Sequence, residues 1–450
     1  MAFVVAVYGG MLLISLLQVR KQYRLDEREP YEEILQSVYT KPISILVPAY
    51  NESAGIYGTI RSLISIEYPE YEMLIINDGS TDDTLAKLRE RFDLKEIKRV
   101  VRKQLGTKAI KAIYQSNIYS NLYVIDKENG GKADALNAGI NFSRYPYFCS
   151  LDGDSVIERN AFLKVLKPII ESRDEIIASG GSIRIANGCT IQNGVLTRVG
   201  LSDKPLVIMQ VIEYLRAFLS GRIGLSHTNL LLIVSGAFGV FSKQWVIEAG
   251  GYSHTVGEDM ELVVRLHRLI KERKLKKKIV YVPDPVCWTE APESIKYLRR
   301  QRKRWHKGLF DSIWRHRTLI LNPKYKSIGL ISMPYYFFIE FLGPIIEVLG
   351  YFIIIISFFR GDVFAEIAIL FFFLSLIYGS IFSVAAVLLE EWSMEKYPHV
   401  NQLMILFLFA LTESFWYRPL TVLWRIEGII DVMLGKNGWG EMVRKGVSSE

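Results

Sequence analysis

Apolar residues collect near the two ends of this 450-residue chain, and that distribution limits the possible folds more than any single motif does. The first eighteen residues, MAFVVAVYGGMLLISLLQ, carry no charge and approach the length of one helix across a bilayer. Residues 327–359 are apolar except for Glu340 and Glu347, and residues 363–389 and 403–411 add two more hydrophobic blocks. A water-facing exterior is thereby left to the middle of the chain. No basic region precedes the first block, and Arg20, Lys21 and Arg24 follow it, which reads as an anchor and places the middle in the cytoplasm.

That middle, residues 41–282, alternates short apolar runs with charged amphipathic stretches, as an α/β domain does. ISILVPAY, residues 43–50, is a continuous apolar run that ends in a polar loop, the pattern of a parallel strand covered on both faces. YEMLIINDGSTDDT, NLYVIDKENGGKADALNAGI and PYFCSLDGDS repeat it. Strand, loop and helix units in series predict a mostly parallel, doubly wound sheet whose ligands bind beyond the carboxyl ends of the strands. The polar clusters all fall at those ends.

The net charge of +8 could indicate nucleic acid, but its distribution does not. Basic residues gather at 271–278 and at Arg299, Arg300, Arg302, Lys303, Arg304 and Lys307, beside the hydrophobic blocks, where they suit lipid headgroups or a phosphorylated small molecule. The run at 271–278 is also accounted for as a solvated helix face. Cys149, Cys189 and Cys287 are widely spaced, so neither a disulfide framework nor a zinc site is expected.

In SLDGDS, Asp152 and Asp154 follow an apolar strand, with Gly153 allowing a tight turn. Two hard oxygen donors at this spacing suit Mg²⁺ or Mn²⁺, although Asp-x-Asp also occurs in solvated loops. Asp78 can accept hydrogen bonds from a base or ribose, and Gly130, Gly131 and Lys132 offer a loop and a cation for phosphate. Glu258 and Asp259 stand at an expected helix start, where a carboxylate can act as general base or merely complement the helix dipole. In RRQRKRWHKG, Arg304 can grip phosphate and Trp305 can stack on a sugar, while the same stretch reads as a basic helix on the membrane surface. Tyr214 and Phe218 share a face of the helical stretch 210–222, a pattern expected of packing rather than binding.

The ordered set NDGS, GGKADALN, DGD, GED and Gln301-x-x-Arg304-Trp305 resembles the membrane-embedded family 2 glycosyltransferases, among them the synthases of cellulose, chitin, hyaluronan and poly-N-acetylglucosamine. The resemblance implies a GT-A fold, a UDP-sugar donor and Mg²⁺ or Mn²⁺. It implies that Asp78 contacts uridine, Lys132 the nucleotide or its phosphates, and that Asp152 and Asp154 flank the metal, with Asp154 its ligand. Asp259, beside Glu258, would be the catalytic base, and Gln301, Arg304 and Trp305 would hold the diphosphate and the acceptor end. One departure stands out: relatives often carry threonine where this chain has Gly257.

The implied organisation is a transmembrane helix at 1–20, a cytoplasmic GT-A catalytic domain at 41–282, amphipathic interface helices at 283–325, a C-terminal transmembrane region at 326–425 and a basic cytoplasmic tail at 426–450. Glu340 and Glu347, seven positions apart, would share one face of a membrane helix, with Pro334 and Pro344 as points of breakage. The number of C-terminal spans stays open. The expected protein is an integral enzyme of the plasma membrane, with membrane lipids and a polysaccharide or lipid acceptor as partners and no nucleic acid. Three functions fit: processive β-linked polysaccharide synthesis, addition of one sugar to a lipid, or a non-catalytic nucleotide-sugar-binding subunit. An accessory subunit leaves no trace in the sequence.

Overall fold

The computed structural model describes residues 2–26, 40–172, 174–360, 365–394, 397 and 400–435. Twelve strands follow in chain order: β1 Ile43–Ala49, β2 Tyr71–Asp78, β3 Leu94–Glu96, β4 Ile110–Ser116, β5 Leu122–Lys127, β6 Tyr147–Leu151, β7 Val156–Ile157, β8 Ile176–Ile185, β9 Thr190–Gln192, β10 Val195–Arg198, β11 Phe238–Ser242 and β12 Lys278–Thr289. Ten of them form one sheet in the order β3-β4-β5-β2-β1-β6-β11-β8-β12-β7, and β9 and β10 pair separately. The block β5-β2-β1-β6 is parallel, as the continuous apolar runs lead one to expect. β11 enters antiparallel between β6 and β8, so the complete sheet is mixed.

Alternate residues of the central strands serve two different cores, which is why the runs show no polar face. Ile43, Ile45 and Val47 of β1 join one core with Ile60 and Leu63 of the helix Ile56–Ile64. Leu46, Leu74 and Ile76 join the other, with Leu136 and Ile140 of the helix Lys132–Phe142 and Leu262 and Leu266 of the helix Glu258–Glu272. The chain builds outward from β1 through β2 towards β5 and then returns to place β6 on the opposite side of β1. In sheets of this kind ligands bind beyond the carboxyl ends, near the point where the direction reverses.

The first of these cores continues into the C-terminal helices, through Leu298, Met333, Tyr336, Phe341 and Ala386. Ion pairs reinforce that junction: Arg184 with Glu390, both buried, Arg302 with Glu213 at 2.5 Å, and the part-buried pair of Arg216 with Glu413 at 2.8 Å. The helix Gly343–Arg360 is the one helix among the described residues long and apolar enough to cross a membrane. Its Phe352, Ile353, Phe358 and Phe359 are exposed. The helices Val400–Thr412 and Tyr417–Met433, bent by 60°, together make a second candidate.

Three expectations change. The N-terminal helix Ala2–Asp26 forms, but its apolar stretch Ala6–Gln18 is shorter than a span, about 20 Å at 1.5 Å per residue against a hydrocarbon core of about 30 Å. The helix lies close to the Ile223–His227 helix instead, where a Cβ on Gly224 would approach Met11 to 3.1 Å, so an anchor is not supported. Glu340 and Glu347 lie on different helices, Tyr335–Phe341 and Gly343–Arg360, because the helical path breaks at Leu342 next to Pro344. The basic face of the helix Ile295–Arg315 is matched by protein: Arg299 holds Glu427 at 2.7 and 2.8 Å, and Lys303 and Lys307 reach Asp431 at 2.7 and 3.3 Å. The sequence boundaries at 282 and 426 fall inside β12 and the Tyr417–Met433 helix, and residues 436–450 of the basic tail lie outside the described residues.

Candidate active site

Four chain segments meet above the carboxyl ends of the central strands. Asp78, the last residue of β2, is buried at the end of the strand. Its carboxylate accepts the N–H groups of Gly130 and Gly131 at 3.0 and 2.7 Å and pairs with Lys127 at 2.6 Å. Lys127 has no exposed surface and also reaches Asp134 at 2.6 Å. Gly79, at φ +69°, lets the two loops interlock, since a Cβ there would lie 2.8 Å from the Asn129 nitrogen. Asp78 thus fixes the glycine loop from below and does not line the cavity.

That loop delivers Lys132 to the first turn of its helix, with Nζ 2.7 Å from Asp152 and 3.4 Å from Glu258. Nζ also donates to the Gly236 carbonyl at 3.1 Å. Burial opposes the lysine charge, but Asp152, Glu258 and Asp259 outweigh it and hold the ammonium above the ordinary lysine range. Burial raises the Glu258 carboxyl; Lys132 pulls it back and Asp259 pushes it further up. Gly236 faces both partners, because a Cβ on it would lie 3.0 Å from Asp259 Oδ2 and 3.6 Å from Lys132 Nζ. The glycine before the motif Glu258-Asp259 also has a local cause. A Cβ on Gly257 would sit 2.7–2.9 Å from the backbone of Gly308, so the helices Glu258–Glu272 and Ile295–Arg315 touch through bare backbone. Gly153 needs no left-handed conformation, and a Cβ there would make ordinary contact with the Pro48 carbonyl at 3.4 Å.

These groups open into a cavity of about 640 Å³ lined by Lys132, Asp152, Asp154, Glu258, Asp259, Gln301, Arg304 and Trp305. Every site residue expected from the sequence, Asp78 excepted, therefore faces one space. Tyr214, Phe218, Arg222, Tyr336 and Glu340 line it as well. Tyr214 lies 6.3 Å from Trp305 and 5.2 Å from Phe218 between ring centroids, so the pair expected to serve packing forms part of the wall. Arg302 was hidden inside its own motif. It is buried, donates to Gln301 at 2.9 Å and Glu213 at 2.5 Å, and lies 4.2 Å from the Trp305 ring centroid. The only sequence signal for it was its adjacency to Gln301.

The site can hold an anionic ligand through Lys132 and Arg304 and accept a proton at Asp259. Asp152 and Asp154 are hard oxygen donors facing the same space, chemistry that fits a divalent cation. Among the described residues no three His, Cys, Asp or Glu groups cluster as a self-sufficient metal centre, so such an ion would need further ligands from what it binds with.

Residues 41–308 match the family described as glycosyltransferase like family 2, and residues 254–437 match one described as chitin synthase. Over 315 residues the chain is 27% identical to a poly-beta-1,6-N-acetyl-D-glucosamine synthase of Staphylococcus epidermidis, covering 69% of this chain and 65% of that one. A synthase of the same description from Staphylococcus aureus (strain COL) is 29% identical over 272 residues, 59% of this chain and 54% of that one. The chain thus spans less than two thirds of the length of these relatives. A mannosyltransferase from Pyrobaculum calidifontis, solved in complex with GDP-Man and Mn²⁺, shares the fold at a TM-score of 0.53 and 15% identity, covering 97% of this chain and 98% of the other.

Proposed function

The chain belongs to the family 2 glycosyltransferases, and from that premise we propose that it transfers a sugar from a UDP-sugar to a growing β-linked polysaccharide at the membrane. UDP-N-acetylglucosamine is the donor favoured by the similarity to poly-N-acetylglucosamine synthases. The observation that carries the reading is the convergence of Lys132, Asp152, Asp154, Asp259, Arg304 and Trp305 on one cavity at the switch point of the sheet.

The chemistry is a single displacement. An acceptor hydroxyl oxygen bonds to the anomeric carbon as the bond to the diphosphate oxygen breaks, so an α-linked donor yields a β-linked product. Asp259 takes the hydroxyl proton, with Glu258 beside it on the same helical turn. Lys132, Arg304 and Gln301 bind the diphosphate, and fixed positive charge favours its departure. Trp305 offers a ring face to the acceptor sugar. Asp154, with Asp152, would hold Mg²⁺ or Mn²⁺, which supplies charge neutralisation at the diphosphate. Asp78 serves the donor through the glycine loop it braces.

Residues 41–282 are assigned to catalysis in the cytoplasm, 283–325 to the interface and 326–425 to the membrane, where a processive enzyme passes its product onward. Exposed apolar surface on Gly343–Arg360 supports membrane residence. A second reading, addition of one sugar to a lipid, is favoured by the one or two candidate spans among the described residues. Full-length protein in nanodiscs, given a panel of UDP-sugars with Mg²⁺ or Mn²⁺, separates these by UDP release and product mass. A mass ladder spaced by one sugar, abolished in Asp259→Asn while UDP binding persists, is expected. A single added sugar on lipid replaces the polymer reading, and absence of release from every donor leaves the non-catalytic subunit.

A further inference from the structure

The cavity wall does not end at the carboxylate cluster. Tyr336 and Glu340 of the membrane-side segment Tyr335–Phe341 belong to it, as do Phe218 and Arg222. Glu340 differs in its partners from three nearby carboxylates of the C-terminal helices, Glu347, Glu390 and Glu413. Glu347 is gripped by Arg418 at 3.0 and 3.1 Å, Glu413 by Arg216 at 2.8 Å, and Glu390 by Arg184. Glu340 has no cation at ion-pair distance among the described residues. One of its oxygens accepts two neutral hydroxyls instead, from Tyr335 at 2.7 Å and from Tyr8 of the N-terminal helix at 3.2 Å.

A carboxylate placed against membrane-side helices without a cation is costly unless polar donors meet it, and such residues face cavities or ligands. Two hydroxyls leave part of its acceptor capacity unused. The cavity supplies what a hydroxyl-rich ligand needs: rings of Tyr214 and Trp305 for the apolar faces of pyranoses, and a carboxylate for their hydroxyls. Both hydroxyls bond to the same oxygen and leave the other for a ligand, whereas a bidentate arginine would occupy both.

We propose that Glu340, braced by Tyr8 and Tyr335 on a cavity wall shared with Tyr336, is a saccharide-binding subsite for a pyranose of the acceptor other than the one that reacts. The subsite rests on the transferase reading for its ligand class. It gives the N-terminal helix a place in acceptor binding, since Tyr8 orients the carboxylate.

The test uses the full chain in nanodiscs and a β-1,6-linked N-acetylglucosamine tetrasaccharide, with two readouts: tetrasaccharide binding by calorimetry without donor, and UDP release as donor and tetrasaccharide are varied separately. Glu340→Gln preserves shape and removes the charge. It is expected to weaken tetrasaccharide binding and raise its KM by about ten-fold or more while the donor KM stays unchanged. Tyr8→Phe is expected to do the same by about three-fold. No binding to the wild type, equal binding to Glu340→Gln, or a parallel rise in both KM values overturns the subsite. If the wild type releases no UDP from any donor the transferase reading falls, and the calorimetric arm still decides the subsite.

Discussion

Lys132 stands between Asp152 and Glu258 and does two jobs with one charge. It neutralises carboxylates that would otherwise repel, and it counters the burial that raises the Glu258 carboxyl. Replacing it by methionine removes that counterweight, so Glu258 should titrate at still higher pH. Lys132→Met is expected to lower UDP release by about 100-fold or more; turnover within a few-fold of the wild type would exclude this role. His267 gives a prediction about stability. Burial pushes its imidazole down to about 4, against an ordinary 6.5, and its Nε2–H donates to the Leu231 carbonyl at 2.9 Å. The unfolded chain therefore binds the proton more readily than the folded one. Its contribution to stability is complete above pH 6.5 and is lost at up to about 1.4 kcal/mol per pH unit as the pH falls towards about 4. Urea titrations across this window should show the slope in the wild type and a shallower one in His267→Gln.

Between elements, the contact of Gly257 with Gly308 brings Asp259 and the Gln301–Trp305 stretch into one cavity. Bare backbone at both positions lets the two helices touch directly, and no side chain fits between them. This explains why threonine, common at this place in the resembling family, is absent here. Gly257→Thr is expected to destabilise by about 1–3 kcal/mol through overpacking and to cut turnover more than Gly308→Ala, as read from thermal melts and UDP release on the same samples. A melt and a rate equal to the wild type would show that the helices can part without cost. The interlocked loops after β2 and β5 make a similar point. Asp78 closes an apolar strand with a charge, and the sequence by itself leaves open what that charge meets within the fold. That charge is satisfied by Lys127 and two backbone N–H groups, a long-range pairing that β2 cannot announce.

At the scale of the whole molecule, the catalytic sheet and the C-terminal helices share one core, the buried ion pair of Arg184 with Glu390 and the part-buried pair of Arg216 with Glu413. Removing residues 327–450 would strip Glu390 from Arg184 and Glu413 from Arg216, and would delete Tyr336 and Glu340 from the cavity wall. An unpaired buried charge costs about 3–5 kcal/mol, so the truncated chain is expected to aggregate and release no UDP, measured by sedimentation and the donor assay. A monodisperse truncation with wild-type turnover would contradict this coupling. The sequence alone determined the parallel centre of the sheet, because strands covered on both faces must be apolar throughout, and it located eight cavity residues, because polar groups cluster where such strands end. It could not determine what each charge faces. The bracing of the glycine loop by Asp78, the pairing of Lys303 with Asp431, the hydroxyl partners of Glu340 and the entry of Tyr214 and Phe218 into the cavity wall all depend on partners brought together by the fold, most of them tens to hundreds of positions away. Those partners are chosen by packing, since a buried charge must find a counterion or a donor wherever the folded chain brings one within reach.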